Sequence, residues 1–157
     1  MNITQLKAHV IVPTLIHIGL HSEAAVELVL GTAIQESHLE YLKQLGRGPA
    51  VGIYQMEPAT HDDIWRNYLA YKPDLAEKVR ALELPGFAPG AAEMCGNLYY
   101  ATAMCRVHYL RVPKKLPPTG DINAMALYWK QYYNTPLGKG TVTEYIHNWK
   151  KMTRSAV

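Results

Sequence analysis

Phenylalanine and cysteine are almost missing from the sequence, with one Phe and two Cys in 157 residues. Two cysteines make no disulfide framework. Cys95 and Cys105 fall in what reads as a single helix from residue 91 to about residue 110, where a rise of about 1.5 Å per residue holds them roughly 15 Å apart, too far to bridge. Both are expected as free thiols, which suits synthesis in a reducing compartment. The opening MNITQLKAHVIVPTLIHIGL has no charged lead, is interrupted by Pro13 and two histidines, and ends in no small-residue cleavage site. Neither a signal peptide nor a membrane span is read there. An excess of one charge sign is also lacking. The net charge of +3 is scattered, which argues against a nucleic-acid-binding face, and Lys114-Lys115 and Lys150, Lys151 and Arg154 read as solvated surface. Gly46 and Gly48 lack the lysine and helix of a phosphate-binding loop. The seven histidines, His38 and His61 included, show no metal-ligand spacing, so no metal and no cofactor is expected. Repeats, low-complexity tracts and heptads are absent as well.

What is present fits a single domain over residues 1–157. Eleven tyrosines and three tryptophans supply flat rings with a polar handle, suited to core and groove alike. Leu6, Val10, Leu15 and Ile18 around Pro13 predict a kinked helix or a helix pair. Ser22 is a candidate N-cap, with Glu23 complementing the dipole of a helix from Ala24 to about Glu36 that buries one face. LGRGPA, residues 45–50, is a loop, and the apolar run Val51 to Met56 suits a strand, giving a small β-hairpin near residues 46–56. Thr60 opens a helix through Ile64, Trp65, Tyr68 and Leu69. After a loop at 85–90, the helix from Ala91 carries Met94, Leu98, Ala101, Cys105 and Tyr109 on one stripe. Asp121 caps a helix through Ala124, Leu127 and Tyr128, NTPLGKGT at 134–141 is a loop, and Tyr145, Ile146 and Trp149 belong to a final helix. The fold class expected is mainly α with that one hairpin.

Three short motifs stand in a fixed order: Glu36-Ser37, then Gly52-Ile53-Tyr54-Gln55, then Pro58-Ala59-Thr60. A glutamate at a helix end is most often a solvated charge; its company is what singles this one out. The order and the spacing resemble the E-S … G-L-M-Q … P-A-T signature of the lytic transglycosylases related to goose-type lysozyme. The resemblance is close from about Val26 to Thr60 and looser beyond. The later A-x-x-Y-N-x-G segment of that family is split here: Ala124 to Tyr128 gives the lead without the asparagine, and Tyr133-Asn134 gives the pair without the lead. Either tyrosine fits as the counterpart, and the alanines at 124 and 126 favour Tyr128.

The resemblance implies an α+β lysozyme-like domain that cuts the MurNAc–GlcNAc β-1,4 bond of peptidoglycan, with Glu36 as acid and base and no cofactor. The residues themselves suit that chemistry. Breaking a glycosidic bond calls for a carboxyl of raised pKa beside the leaving oxygen, and a helix end facing apolar core desolvates one. Gly52 lets backbone approach a sugar chain, Gln55 offers donor and acceptor, Ser37 stands beside the acid, and Tyr54 with Tyr128 or Tyr133 offers stacking faces. A transglycosylase uses one carboxyl twice and closes a 1,6-anhydro ring without water; the signature favours it. A hydrolytic goose-type lysozyme needs a second carboxylate about 6.5–9.5 Å away in the inverting geometry, for which Glu40, Glu57, Asp62, Asp63 and Asp121 are candidates. The remaining alternative is a non-catalytic, glycan-gripping virion protein on the same fold. The short chain, without wall-binding module or anchor, looks like phage-encoded members of the family. Such an enzyme is expected as a monomer that meets peptidoglycan strands, and other virion or lysis proteins, after delivery by a phage particle or permeabilisation of the membrane.

Overall fold

The computed structural model describes residues 1–88 and 90–154. Helices carry nearly all of its regular structure. The chain begins with α1 (Ile3–Leu6), a π-helical stretch Lys7–Ile11 and α2 (Val12–His17), which follow without a break. The π-turn answers the expected kink. Val12 N–H bonds the Lys7 carbonyl, and the next residue, Pro13, has no N–H to give and a ring that crowds the preceding turn.

The helix α3 (Glu23–Ser37) starts where the cap predicts, Ser22 Oγ accepting from Ala25 N at 3.1 Å. It does not bury a single face. Ten of its residues, Leu28, Gly31 and Ile34 among them, are buried, so α3 is a central helix wrapped nearly all round. The closeness of that wrapping is visible at Gly31, where a Cβ would lie 2.0 Å from Tyr145 Oη.

Pro58 opens α4 (Pro58–Asn67), two residues ahead of the expected Thr60, because a ring-fixed φ and a missing N–H cost nothing in the first turn. Next comes α5 (Pro73–Arg80), which the sequence reading left out. The single helix expected from residue 91 is two, α6 (Glu93–Gly96) and α7 (Leu98–Leu110). Asn97 breaks it with extended torsions, φ −104° and ψ 94°. Its Oδ1 caps Tyr100 N at 2.9 Å while its Nδ2 donates to the Leu82 carbonyl at 2.7 Å, so one side chain starts α7 and ties the break to a distant loop. Cys95 and Cys105 are both free, on either side of this break. Asp121 caps α8 (Ile122–Trp129) through Ala124 N; α8 runs into a π-helical stretch Lys130–Asn134, and α9 (Val142–Arg154) follows.

The expected β-hairpin does not form: among the described residues there is no strand, only two isolated antiparallel bridges, Lys43 with Val51 and Val51 with Met56. Gly52 at φ +79° and Gln55 at φ +46° fold residues 52–55 into a closed turn, and Pro58 commits the chain to helix before a second ladder pair can form. The core gathers around α3, to which α7, α8, α9 and the π-helical stretch Lys7–Ile11 pack. Among the described residues no helix is long and apolar enough to cross a membrane.

Candidate active site

Glu36 is the penultimate residue of α3. The helix stops immediately after it, with His38 and Leu39 both left-handed at φ 51° and 58°. Two successive non-glycine residues in that region cost free energy that the surroundings must supply. The supply is local: Leu39 is buried, and Ser37, also buried, donates its Oγ to the Ala33 carbonyl at 3.0 Å and accepts from Leu39 N at 3.3 Å. Ser37 is therefore a bracket for the helix end rather than a group facing a ligand.

The Glu36 carboxyl is half-buried. Its Oε1 accepts a hydrogen bond from Trp129 Nε1 at 3.0 Å, and its Oε2 has no hydrogen-bond partner among the described residues. Burial pushes its pKa up to about 7, with the Trp129 bond opposing the rise. Desolvation penalises the carboxylate more than one indole N–H stabilises it.

The turn at residues 52–55 carries two of the expected contacts in changed roles. At Gly52 a Cβ would stand 2.5 Å from the Met94 carbonyl oxygen, so the close approach that only glycine allows is to the backbone of α6, not to a sugar. Tyr54 offers no stacking face. It is 1% exposed and its hydroxyl is spent on Thr102 Oγ1 at 2.8 Å. Gln55 is half-buried, with Nε2 donating to the Gly52 carbonyl at 2.9 Å, which leaves its amide oxygen as the available group.

The two candidate tyrosines differ sharply in position. Tyr133 donates its hydroxyl to the Tyr54 carbonyl at 2.6 Å, stacks on Tyr109 at 5.3 Å and meets the edge of His108 at 5.0 Å. Burial holds its pKa well above the usual tyrosine range, and the charges of Cys105 and Glu36 add to the rise. Tyr128 instead donates to the Lys114 carbonyl at 3.2 Å and packs against Tyr132. Of the two tyrosines, Tyr133 is the one whose electrostatics include Glu36 and whose hydroxyl holds the 52–55 turn.

Three residues absent from the sequence reading belong to this neighbourhood. Trp129 ends α8; its signal was an indole, a donor without an acceptor of its own, at the buried end of an apolar helix. His108 and Arg111 form a chain behind Tyr133: Arg111 Nη2 donates to His108 Nδ1 at 2.9 Å and Arg111 Nη1 to Asp63 Oδ2 at 2.7 Å. Burial, with the Arg111 charge beside it, lowers the His108 pKa to about 4. The histidine is neutral at physiological pH.

Of the candidate second carboxylates, Asp63 is held by Asn67 and Arg111, which keep its pKa below the usual range. Asp62 bonds His61 Nδ1 at 2.9 Å and Asp121 caps α8, while Glu40 and Glu57 are exposed. Among the described residues no three His, Cys, Asp or Glu side chains gather as they would around a metal ion. Comparison with protein families, curated proteins and solved structures finds no match to the chain.

Proposed function

We propose that the chain cleaves the MurNAc–GlcNAc bond of peptidoglycan as a lytic transglycosylase, with Glu36 as the one acid and base. The observation that carries this reading is the Glu36 carboxyl itself, half-buried at a helix end with its pKa pushed to about 7, one oxygen held and the other open. At neutral pH about half the molecules carry the proton, and a group poised near the working pH can both give and take one. Glu36 protonates the glycosidic oxygen as the C1–O bond breaks and C1 becomes oxocarbenium-like. The carboxylate left behind is stabilised by the Trp129 N–H in a charge-assisted bond. It then takes the proton of the C6 hydroxyl as that oxygen closes on C1, giving the 1,6-anhydro ring and restoring the acid.

Tyr133, held in its protonated form by burial, fixes the 52–55 turn through the Tyr54 carbonyl, and the Gln55 amide oxygen receives a sugar hydroxyl. The single-carboxyl mechanism is favoured over hydrolysis because burial, not a neighbouring carboxylate, is what raises the Glu36 pKa. The test is mass spectrometry of purified peptidoglycan after digestion. Anhydro-muramic ends support the proposal, reducing ends move it to a hydrolase, and an unchanged polymer defeats it in favour of a non-catalytic protein.

A further inference from the structure

One charged cavity stands apart from the Glu36 neighbourhood. It has a volume of about 500 Å³ and is lined by His61, Asp62, Trp65 and Arg66 of α4, with Arg80, Glu83, Gly90 and Tyr100. Its floor is prebuilt. Buried His61 bonds Asp62 through Nδ1 at 2.9 Å and Tyr100 Oη through Nε2 at 2.6 Å, and Trp65 Nε1 donates to the same Tyr100 oxygen at 2.9 Å. These bonds satisfy His61, Trp65 and Tyr100 internally, while exposed Asp62 uses only its Oδ1 and keeps Oδ2 for a ligand. The rim differs. Arg66 and Glu83 have no hydrogen bond or ion pair between side chains among the described residues, and Arg80, over the Trp65 ring at 5.0 Å, acts on Glu83 through its charge without a direct ion pair.

Two guanidinium groups and two carboxyls around one cavity suit a ligand that carries both signs of charge. A neutral sugar would strip water from all four without replacing it, which is unfavourable. On the reading proposed above, the substrate divides its chemistry in the same way: its N-acetyl sugars are neutral, and its charges sit on the short peptide stem borne by each muramic sugar. α4 begins at Pro58, directly after the 52–55 turn, so the chain that carries Gln55 runs straight into the helix that carries Asp62 and Arg66.

We propose that this cavity binds the peptide stem of peptidoglycan, with Arg66 and Arg80 taking its carboxylates and Asp62 and Glu83 its ammonium group. The site then selects strands that carry stems, while Glu36 and its neighbours select the bond. The inference rests on the peptidoglycan reading, so its test uses binding as well as cleavage. A synthetic stem tripeptide with a free amino and a free carboxyl group is titrated into the full chain, and the Trp65 indole N–H is followed by NMR. Saturable movement of that signal is expected, weakened at least tenfold in an Arg66→Ala, Arg80→Ala double variant and in Glu83→Gln, with an unaltered spectrum elsewhere. Because Arg80 touches Trp65, Arg66→Ala alone serves as the control for a disturbed ring, and it too must weaken binding. No movement, or equal movement with a peptide-free glycan fragment, overturns the proposal. In cleavage assays the wild type should prefer stem-bearing to amidase-stripped strands and the double variant should not; an equal preference in both overturns it as well. Failure to cut either substrate, with peptide binding intact, would sink the catalytic reading and leave the cavity assignment standing.

Discussion

Replacing Glu36 by glutamine should change how stability depends on pH, in a direction that the structure fixes. The folded protein holds the Glu36 proton up to about pH 7, whereas an ordinary glutamate loses it at 4.5. Between those values the folded state binds more protons than the unfolded one, so this group's stabilising contribution is full below pH 4.5 and is lost as pH rises through 7. At about 1.4 kcal/mol per pH unit the whole effect is roughly 3 kcal/mol, and partial exposure of the carboxyl reduces it to about 2. His108 acts in the opposite sense. Its folded pKa of about 4 lies below the ordinary 6.5, so its contribution is full above 6.5 and is lost as pH falls through 4. In the wild type the two slopes oppose each other between pH 4.5 and 6.5. Glu36→Gln keeps the acceptor for Trp129 but removes one slope, leaving a protein whose stability climbs with pH through that window. Urea unfolding at about pH 5 and about pH 8 measures this. The variant's advantage over the wild type should grow by about 2 kcal/mol, a shift of about 1 M in midpoint at a typical slope. An advantage that is the same at both pH values would show that Glu36 is an ordinary solvated acid and remove the basis for its role.

The same Glu36→Gln protein should lose about 10²–10⁴-fold of its wall-lytic rate, read as release of soluble fragments from purified peptidoglycan; near-wild-type clearing would refute the assignment. Tyr133→Phe removes the hydroxyl bonded to the Tyr54 carbonyl and should slow turnover several-fold, as a lost hydrogen bond of about 1 kcal/mol implies. Tyr128→Phe, whose lost hydroxyl bonds the Lys114 carbonyl instead, should leave turnover nearly unchanged, and the reverse ranking would return the role to Tyr128. Gly52→Ala combines a φ of +79° with a Cβ 2.5 Å from the Met94 oxygen, so thermal unfolding should report a loss of about 2–4 kcal/mol; a loss below about 1 kcal/mol would mean that the turn is loosely held.

Local signals were legible in the sequence and distant ones were not. Ser22 and Asp121 announced their helices because a cap acts on backbone two or three residues away. Glu36 was legible as the end of a helix with a motif beside it. Its partner Trp129, 93 residues on, was not, since nothing in the spacing of α8 says which element its indole will face. Asn97 misled for the same reason: its break is held in part by the Leu82 carbonyl, fifteen residues back, outside the window of helical periodicity. Tyr54 looked like a surface ring because its motif looked like a surface motif, and only the packing of Thr102 against it shows otherwise. The run Val51 to Met56 is β-capable by composition, and two positive φ values override that composition.

The π-helical stretch Lys130–Asn134 makes chain length itself a determinant of the site. A π-turn holds one residue more than an α-turn over the same backbone arc. Deleting exposed Gln131 would return the turn to α geometry over the same arc and leave Tyr133 facing nearly as before, whereas deleting a residue of α8 itself, which has none to spare, would swing Tyr133 by about 100° around the axis, off the Tyr54 carbonyl and the Tyr109 ring. A one-residue deletion is therefore cheap at 131 and costly within α8. The segment is measured as well as composed, and the separation of Tyr133-Asn134 from the alanines of α8 is the trace of that measure in the sequence.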